Sequence, residues 1–123
     1  MSPQLTAILV ARYPRVFQRF AAGADGEPDI YCGDGWFDLL DTLCAELELW
    51  PVRNTMPEVV ALQIKEKLGI LRFRYRGGDD IAAGMVAMTA ALSARMCECC
   101  GRPGQRLSMR TRCERHQDAR TCD

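Results

Sequence analysis

Cys97-x2-Cys100, twelve intervening residues and Cys113-x2-His116 place four soft ligands within residues 97–116. Two tight pairs, separated by enough chain for a hairpin, suit a tetrahedral ion, because each pair supplies ligands from one side of the metal. Cys97, Cys100, Cys113 and His116 are therefore read as a structural Zn2+ site. Protein atoms fill every position in such a site, and no position stays open for a reactive water. The string Gly101-Arg102-Pro103-Gly104 between the pairs has the composition of a turn. Cys113 and His116 stand at i and i+3, so one helical turn would point both the same way. A knuckle, a hairpin and a helix start in that order make a treble clef; a bare zinc ribbon is the alternative. Cys99 lies between two of the ligands, and registers in which it replaces Cys97 or Cys100, or in which Cys122 replaces His116, stay open.

Catalytic candidates are few. Asp34, Asp38 and Asp41 could gather a divalent cation and support nuclease chemistry, although a capped helix with a solvated acidic face explains them more simply. His116 is the only histidine. As a ligand it leaves none to act as general base in a treble-clef nuclease. There is no phosphate loop, nucleophile elbow or HExxH. No residue is assigned a catalytic role.

The elements that must carry the metal site can be read from apolar periodicity. Ser2-Pro3 is a helix start, with Leu5, Ile8 and Leu9 following at helical spacing and Pro14 ending the run. Residues 21–28 have loop composition, and Ile30-Tyr31-Cys32 suits a brief extended piece. Gly33-Asp34-Gly35 opens the clearest helix. Its apolar stripe is Trp36, Leu40, Leu43, Leu47 and Trp50, its outer face carries Asp38, Asp41 and Glu48, and Pro51 stops it. Cys44 falls on the apolar side as packing.

The period then changes to two. Val60, Leu62 and Ile64 alternate with polar or small residues, and Leu71, Phe73 and Tyr75 alternate with Arg72, Arg74 and Arg76. A helix over residues 58–68 is the competing reading. In a hairpin, the faces require a loop of two or four residues. A four-residue loop, Glu66-Lys67-Leu68-Gly69, is preferred because a two-residue turn would force Leu68 to positive φ. It also keeps Glu66 off the core face. Lys65, Arg72, Arg74 and Arg76 then share one face, the arginines about 7 Å apart, and such a row calls for something acidic opposite it. The row either meets an external acidic partner, meets the chain's own acidic helix or is simply exposed to solvent. Asp79 and Asp80 cap a third helix with a stripe of Ile81, Met85, Met88, Leu92 and Met96. Core packing is its plainer role and an adaptable binding groove the alternative. Residues 107–111 suit one arm of a hairpin in the metal element.

The whole is an α+β fold: helices on a small antiparallel hairpin or sheet, with a C-terminal treble-clef or zinc-ribbon-like element. Residues 1–94 form the core, 95–118 the zinc-binding element continuous with it, and 119–123 a tail. Formal net charge is zero, which argues against a globally basic DNA-coating protein. Charge is uneven, with −5 over residues 1–50 (three Arg, eight Asp or Glu), +2 over 51–94 and +3 over 95–123. No signal peptide or membrane span is evident, so the expectation is a cytoplasmic protein with reduced thiols, which favours metal over disulfides.

Three strings taken together support a resemblance: Cys32-Gly33-Asp34-Gly35-Trp36-Phe37, Lys65-Glu66-Lys67-Leu68-Gly69-Ile70-Leu71-Arg72-Phe73, and Cys97-Glu98-Cys99-Cys100-Gly101-Arg102-Pro103-Gly104 with Cys113-x2-His116. The chain resembles a group of small, mostly uncharacterised zinc-binding proteins encoded by bacteriophages and prophages. The resemblance spans about residues 30–118 and implies a zinc-binding accessory phage product with no activity to inherit. The expected function is a non-enzymatic interaction module. Its contact surface would be Lys65, Arg72, Arg74 and Arg76, extended by Arg102, Arg106, Arg110 and Arg112. The partner would be a host or antiviral-defence complex, which the protein would inhibit, or nucleic acid. A small DNA-binding regulator, a metal-dependent nuclease and a minor virion component are the alternatives.

Overall fold

Ser2 starts the first helix, α1 (Pro3–Arg12), by accepting a hydrogen bond from the Leu5 N–H, with Pro3 in the first turn. The computed structural model describes residues 1–20 and 30–122; the expected loop at 21–28 lies outside the described residues. α1 ends before Pro14, and Val16 and Phe17 turn inward to become fully buried.

Residues 30–31 form β1 (Ile30–Tyr31), which pairs in parallel with β2 (Val60–Lys67), and β2 pairs antiparallel with β3 (Ile70–Arg76). The expected antiparallel pair is thus part of a mixed three-stranded sheet of order β1-β2-β3. Residues 60–67 are strand and not helix, which decides between the two readings of that stretch. Two details correct the expected hairpin. The turn has two residues, with Leu68 at φ 55° and Gly69 at φ 83°, so Leu68 does adopt the conformation a branched side chain resists. Three bonds hold it there. Glu66 Oε1 accepts from the Gly69 N–H at 2.7 Å, the Leu68 carbonyl accepts from Arg106 Nε at 2.6 Å, and the Gly69 carbonyl accepts from the Thr111 hydroxyl at 2.6 Å. Glu66 consequently stands opposite Leu71, on the core side of the sheet. In addition, a bulge between Ala61 and Gln63 shifts the register, so Ala61, and not Leu62, occupies the core face beside Ile64.

The second helix begins as a 3₁₀ turn, Asp34–Trp36, and continues as α2 (Phe37–Asn54). Its stripe of Leu40, Leu43 and Leu47 is buried, with Cys44 packed among them as expected. Pro51 does not stop it. The ring is buried inside the helix, which runs one turn further to a left-handed cap at Thr55. Proline forbids only its own N–H bond and crowds the preceding turn, so it is tolerated where core contacts hold that turn in place.

α3 (Asp80–Ser93) is capped by Asp79 and packs against both β3 and α2. Its fully buried residues are Ala82, Thr89 and Ser93; of the expected stripe, Met85 and Met96 pack against the core, whereas Ile81, Met88 and Leu92 are 50%, 62% and 44% exposed. The small residues let the helix approach the sheet closely, and the Ser93 hydroxyl accepts from the Leu71 N–H at 2.9 Å. Beyond α3, β4 (Gln105–Leu107) and β5 (Arg110–Arg112) form a hairpin turning at Ser108 and Met109. The turn therefore falls inside the segment expected to be a single arm. No described helix is long and apolar enough to cross a membrane.

Candidate metal centre

Cys97 follows the turn that trails α3, one residue beyond the isolated bridge between Met96 and Pro103. Its carbonyl accepts from the Gly101 N–H at 2.8 Å and its N–H donates to the Arg102 carbonyl at 2.7 Å, bending the chain into a knuckle that presents Cys97 and Cys100 together. Gly101 takes φ 77°, the left-handed position such a knuckle requires. From the other side, β5 delivers Cys113, which caps a 3₁₀ turn (Glu114–His116) whose last residue is His116. That turn is not followed by an α-helix among the described residues. Of the two expected architectures, the element is therefore zinc-ribbon-like, with ligands on a knuckle and at the foot of a hairpin.

The four ligand atoms lie within 4.8 Å of one another and could hold a metal ion. Cys100 Sγ is 3.7 Å from Cys113 Sγ, and His116 Nδ1 is 3.2 Å from Cys113 Sγ and 3.6 Å from Cys97 Sγ. A tetrahedral ion about 2.3 Å from each sulfur would set its sulfurs about 3.8 Å apart. The Cys100–Cys113 separation is close to what such an ion requires and far too wide for a disulfide between the two. Cys97 is buried, which alone would raise its pKa. Main-chain N–H groups of Cys113, Cys100 and Cys99 offset this and bring the thiol down to about 6, favouring the thiolate that a metal needs.

The other two strings meet this element directly. Gly35 lies against the knuckle, where a Cβ would overlap the Cys97 carbonyl and come within 2.6 Å of the Glu98 oxygen and the Gly101 nitrogen. The Gly35 N–H donates to the Glu98 carbonyl at 2.7 Å, and Trp36 Nε1 donates to the Met96 carbonyl at 2.9 Å. On the hairpin side, Thr111 is completely buried and hydrogen-bonds the β2–β3 turn at Gly69. Gly-Asp-Gly-Trp, Lys-Leu-Gly and the Cys knuckle are therefore three faces of one joint.

Sequence reasoning missed Glu98 and Thr111. Glu98 accepts from the Gly33 N–H at 2.9 Å and lies 3.9 Å from the Arg112 guanidinium, and burial raises its pKa above the usual carboxylate range. The only available signal was its place between two ligands.

Cys99 points away from the ligand set and forms a disulfide with Cys122, so neither replaces a ligand. The pairing departs from the expectation of reduced thiols. The knuckle turns Cys99 outward and the chain beyond His116 folds back beside it. Cys32 and Cys44 are buried thiols whose pKa is raised by burial, which marks them as packing groups.

The basic residues divide into two groups. Arg72, Arg74 and Arg76 are exposed along β3, with Lys65 opposite Arg72, and among the described residues no ion pair engages them. Arg112 is corrected: it is 6% exposed and turned inward, donating to the Ala119 carbonyl at 3.2 Å and pairing with Glu98. Arg106 and Arg110 remain exposed but are tied to the Leu68 and Ala119 carbonyls, while Arg102 is exposed at the knuckle.

The carboxylates also disperse. Asp34 accepts from the Ser2 N–H, Asp41 from Arg12 and Tyr13, and Glu48 from the Arg15 and Val16 N–H groups. Asp34, Asp38 and Asp41 therefore do not form a cation cluster among the described residues. Comparison of the chain with protein-family models, with curated proteins and with solved structures returns no match.

Proposed function

We propose that this chain is a non-enzymatic, zinc-stabilised interaction protein whose β3 face binds an acidic surface on a partner protein. The observation that carries the reading is the row of Arg72, Arg74 and Arg76. The three are exposed on an edge strand and left without an ion pair among the described residues. The acidic face of α2 does not meet this row, since Asp41 and Glu48 are engaged by the N-terminal segment. A short basic row on a chain of zero net charge suits a local acidic protein surface better than the long phosphate track of a duplex. Zinc is the fitting metal, because a Cys3His set gathered within 4.8 Å matches its preference for soft ligands. Cys97, Cys100, Cys113 and His116 would hold it and leave no position for a substrate. In keeping with the resemblance to phage-encoded proteins, a host or antiviral-defence complex is the partner to seek first, with inhibition as the consequence of binding.

The test is a pull-down from bacterial host extract with the wild type and with a variant carrying Arg72→Ser, Arg74→Ser and Arg76→Ser, with a parallel titration of duplex DNA against salt. A defined acidic complex should co-purify with the wild type and be lost from the variant. Identical partners for both proteins would overturn the reading. Tight duplex binding that falls steeply with salt would instead point to a DNA-binding regulator.

A further inference from the structure

α3 is unusual for a helix on a protein surface. Between Asp80 and Ser93 its only charged residue is Asp80 itself. One side packs on the sheet, yet Ile81, Met88 and Leu92 are 50%, 62% and 44% exposed. A helix with no polar face normally has neighbours all round. Here the uncovered side forms one wall of a groove of about 670 Å³ against α2, lined by Leu39, Leu43, Met85, Met88, Leu92 and Met96. Methionines in such a wall can repack around different apolar side chains.

The α2 rim of the groove is acidic. Asp38, Thr42 and Glu46 are exposed and border it at i, i+4 and i+8, which sets the two carboxylates about 12 Å apart along the helix. Among the described residues neither Asp38 nor Glu46 is in an ion pair. The opposite wall, on α3, contributes no charge. An occupant must therefore be apolar along its centre and basic along the edge that meets α2. A helix with apolar residues at i, i+3 or i+4 and i+7, flanked by Lys or Arg, has that form and lies in such grooves by its apolar face. A second copy of the chain offers no described helix of this kind. α1 carries only Arg12, α2 is predominantly acidic and α3 is uncharged apart from Asp80.

We propose that the α2–α3 groove is a docking site for a cationic amphipathic helix of a partner protein, separate from the arginine row on β3. Met88 and Leu92 make the apolar contact, and Asp38 and Glu46 set the direction of charge.

The test uses the full chain and two synthetic helices with the same leucine stripe, one carrying lysines at its polar positions and one carrying glutamates. Binding is followed by the methyl signals of isotope-labelled methionines. The lysine helix should bind at least tenfold more tightly and shift Met85, Met88 and Met96 while leaving Met109, on the metal hairpin, unchanged. Asp38→Lys with Glu46→Lys should abolish or reverse the preference. Met88→Glu, at an exposed position, should abolish binding with the fold retained. Equal binding of both helices, shifts confined to Met109, or no shift at all would overturn the proposal. So would concentration-dependent dimerisation that Met88→Glu removes, because the occupant would then be a second copy.

Discussion

Trp36 Nε1 donates to the main-chain carbonyl of Met96 at 2.9 Å, so the opening turn of α2 holds the last residue before the metal knuckle. Gly35, one residue earlier, donates its N–H to the Glu98 carbonyl and packs its Cα directly against the knuckle's backbone. The metal element is thereby fastened to the domain, and stability of one should be felt in the other.

Removing metal should therefore be visible from Trp36. Purified chain should carry one zinc, and chelation or Cys113→Ser should shift tryptophan fluorescence and lower the melting temperature. Cys113→Ser should also weaken metal binding by more than ~100-fold, beyond what loss of a supporting residue causes. Cys99→Ser or Cys122→Ser should leave metal content at one per chain, because the disulfide lies outside the ligand set. Elemental analysis of the four proteins checks the metal content, thermal melts and fluorescence with and without chelator check the coupling, and a competitive chelator titration checks the affinity; a chain without zinc would remove the metal centre.

Gly35→Ala and Gly84→Ala should have opposite effects. A Cβ at Gly35 meets rigid backbone from Cys97, Glu98 and Gly101, and overpacking of that kind should cost about 3 kcal/mol. At Gly84, inside α3, nothing lies within 4 Å, so alanine should stabilise by about 1 kcal/mol through helix propensity. Urea titration of both variants separates close packing from backbone preference.

Leu68 occupies a left-handed position at φ 55° immediately before Gly69. Asparagine before glycine favours this two-residue turn, and a branched apolar residue in that conformation costs about 1 kcal/mol. Leu68→Asn should raise stability by that amount with the β2–β3 register unchanged, as read by denaturant melts and amide exchange.

Acid should weaken the contact between α1 and α2. The Tyr13 hydroxyl, then desolvation in the opposite sense, then Arg12 act on Asp41, with the net result that its pKa is lowered. A carboxyl lowered on folding contributes stability above its unfolded pKa and loses it as pH falls through the folded value. Stability should thus decline below about pH 4, the ordinary aspartate range. Asp41→Asn should remove about 1 kcal/mol at neutral pH and flatten that part of the decline. If wild type and variant gave parallel pH–stability curves, the assigned role of Asp41 would be wrong.

Local chemistry made much of the protein legible. The Cys97-Cys100 and Cys113-His116 pairs announced the cluster that could hold a metal ion, because ligand spacing is a property of adjacent residues. The Ser2 cap, the Leu40-Leu43-Leu47 stripe and the alternation along β3 likewise announced α1, α2 and the hairpin, since each depends on a fixed backbone period. What lay beyond the sequence was set by contacts between segments far apart in the chain. Leu68 could adopt positive φ only because Arg106 and Thr111 grip the turn. Pro51 could stay helical because its ring is buried, and Arg112 turned inward to Glu98. The outer face of α3 was hidden for another reason: a helix almost without charge has no polar side to mark what faces water, so only its packing against β3 and α2 decided that Met88 and Leu92 would stand in the open.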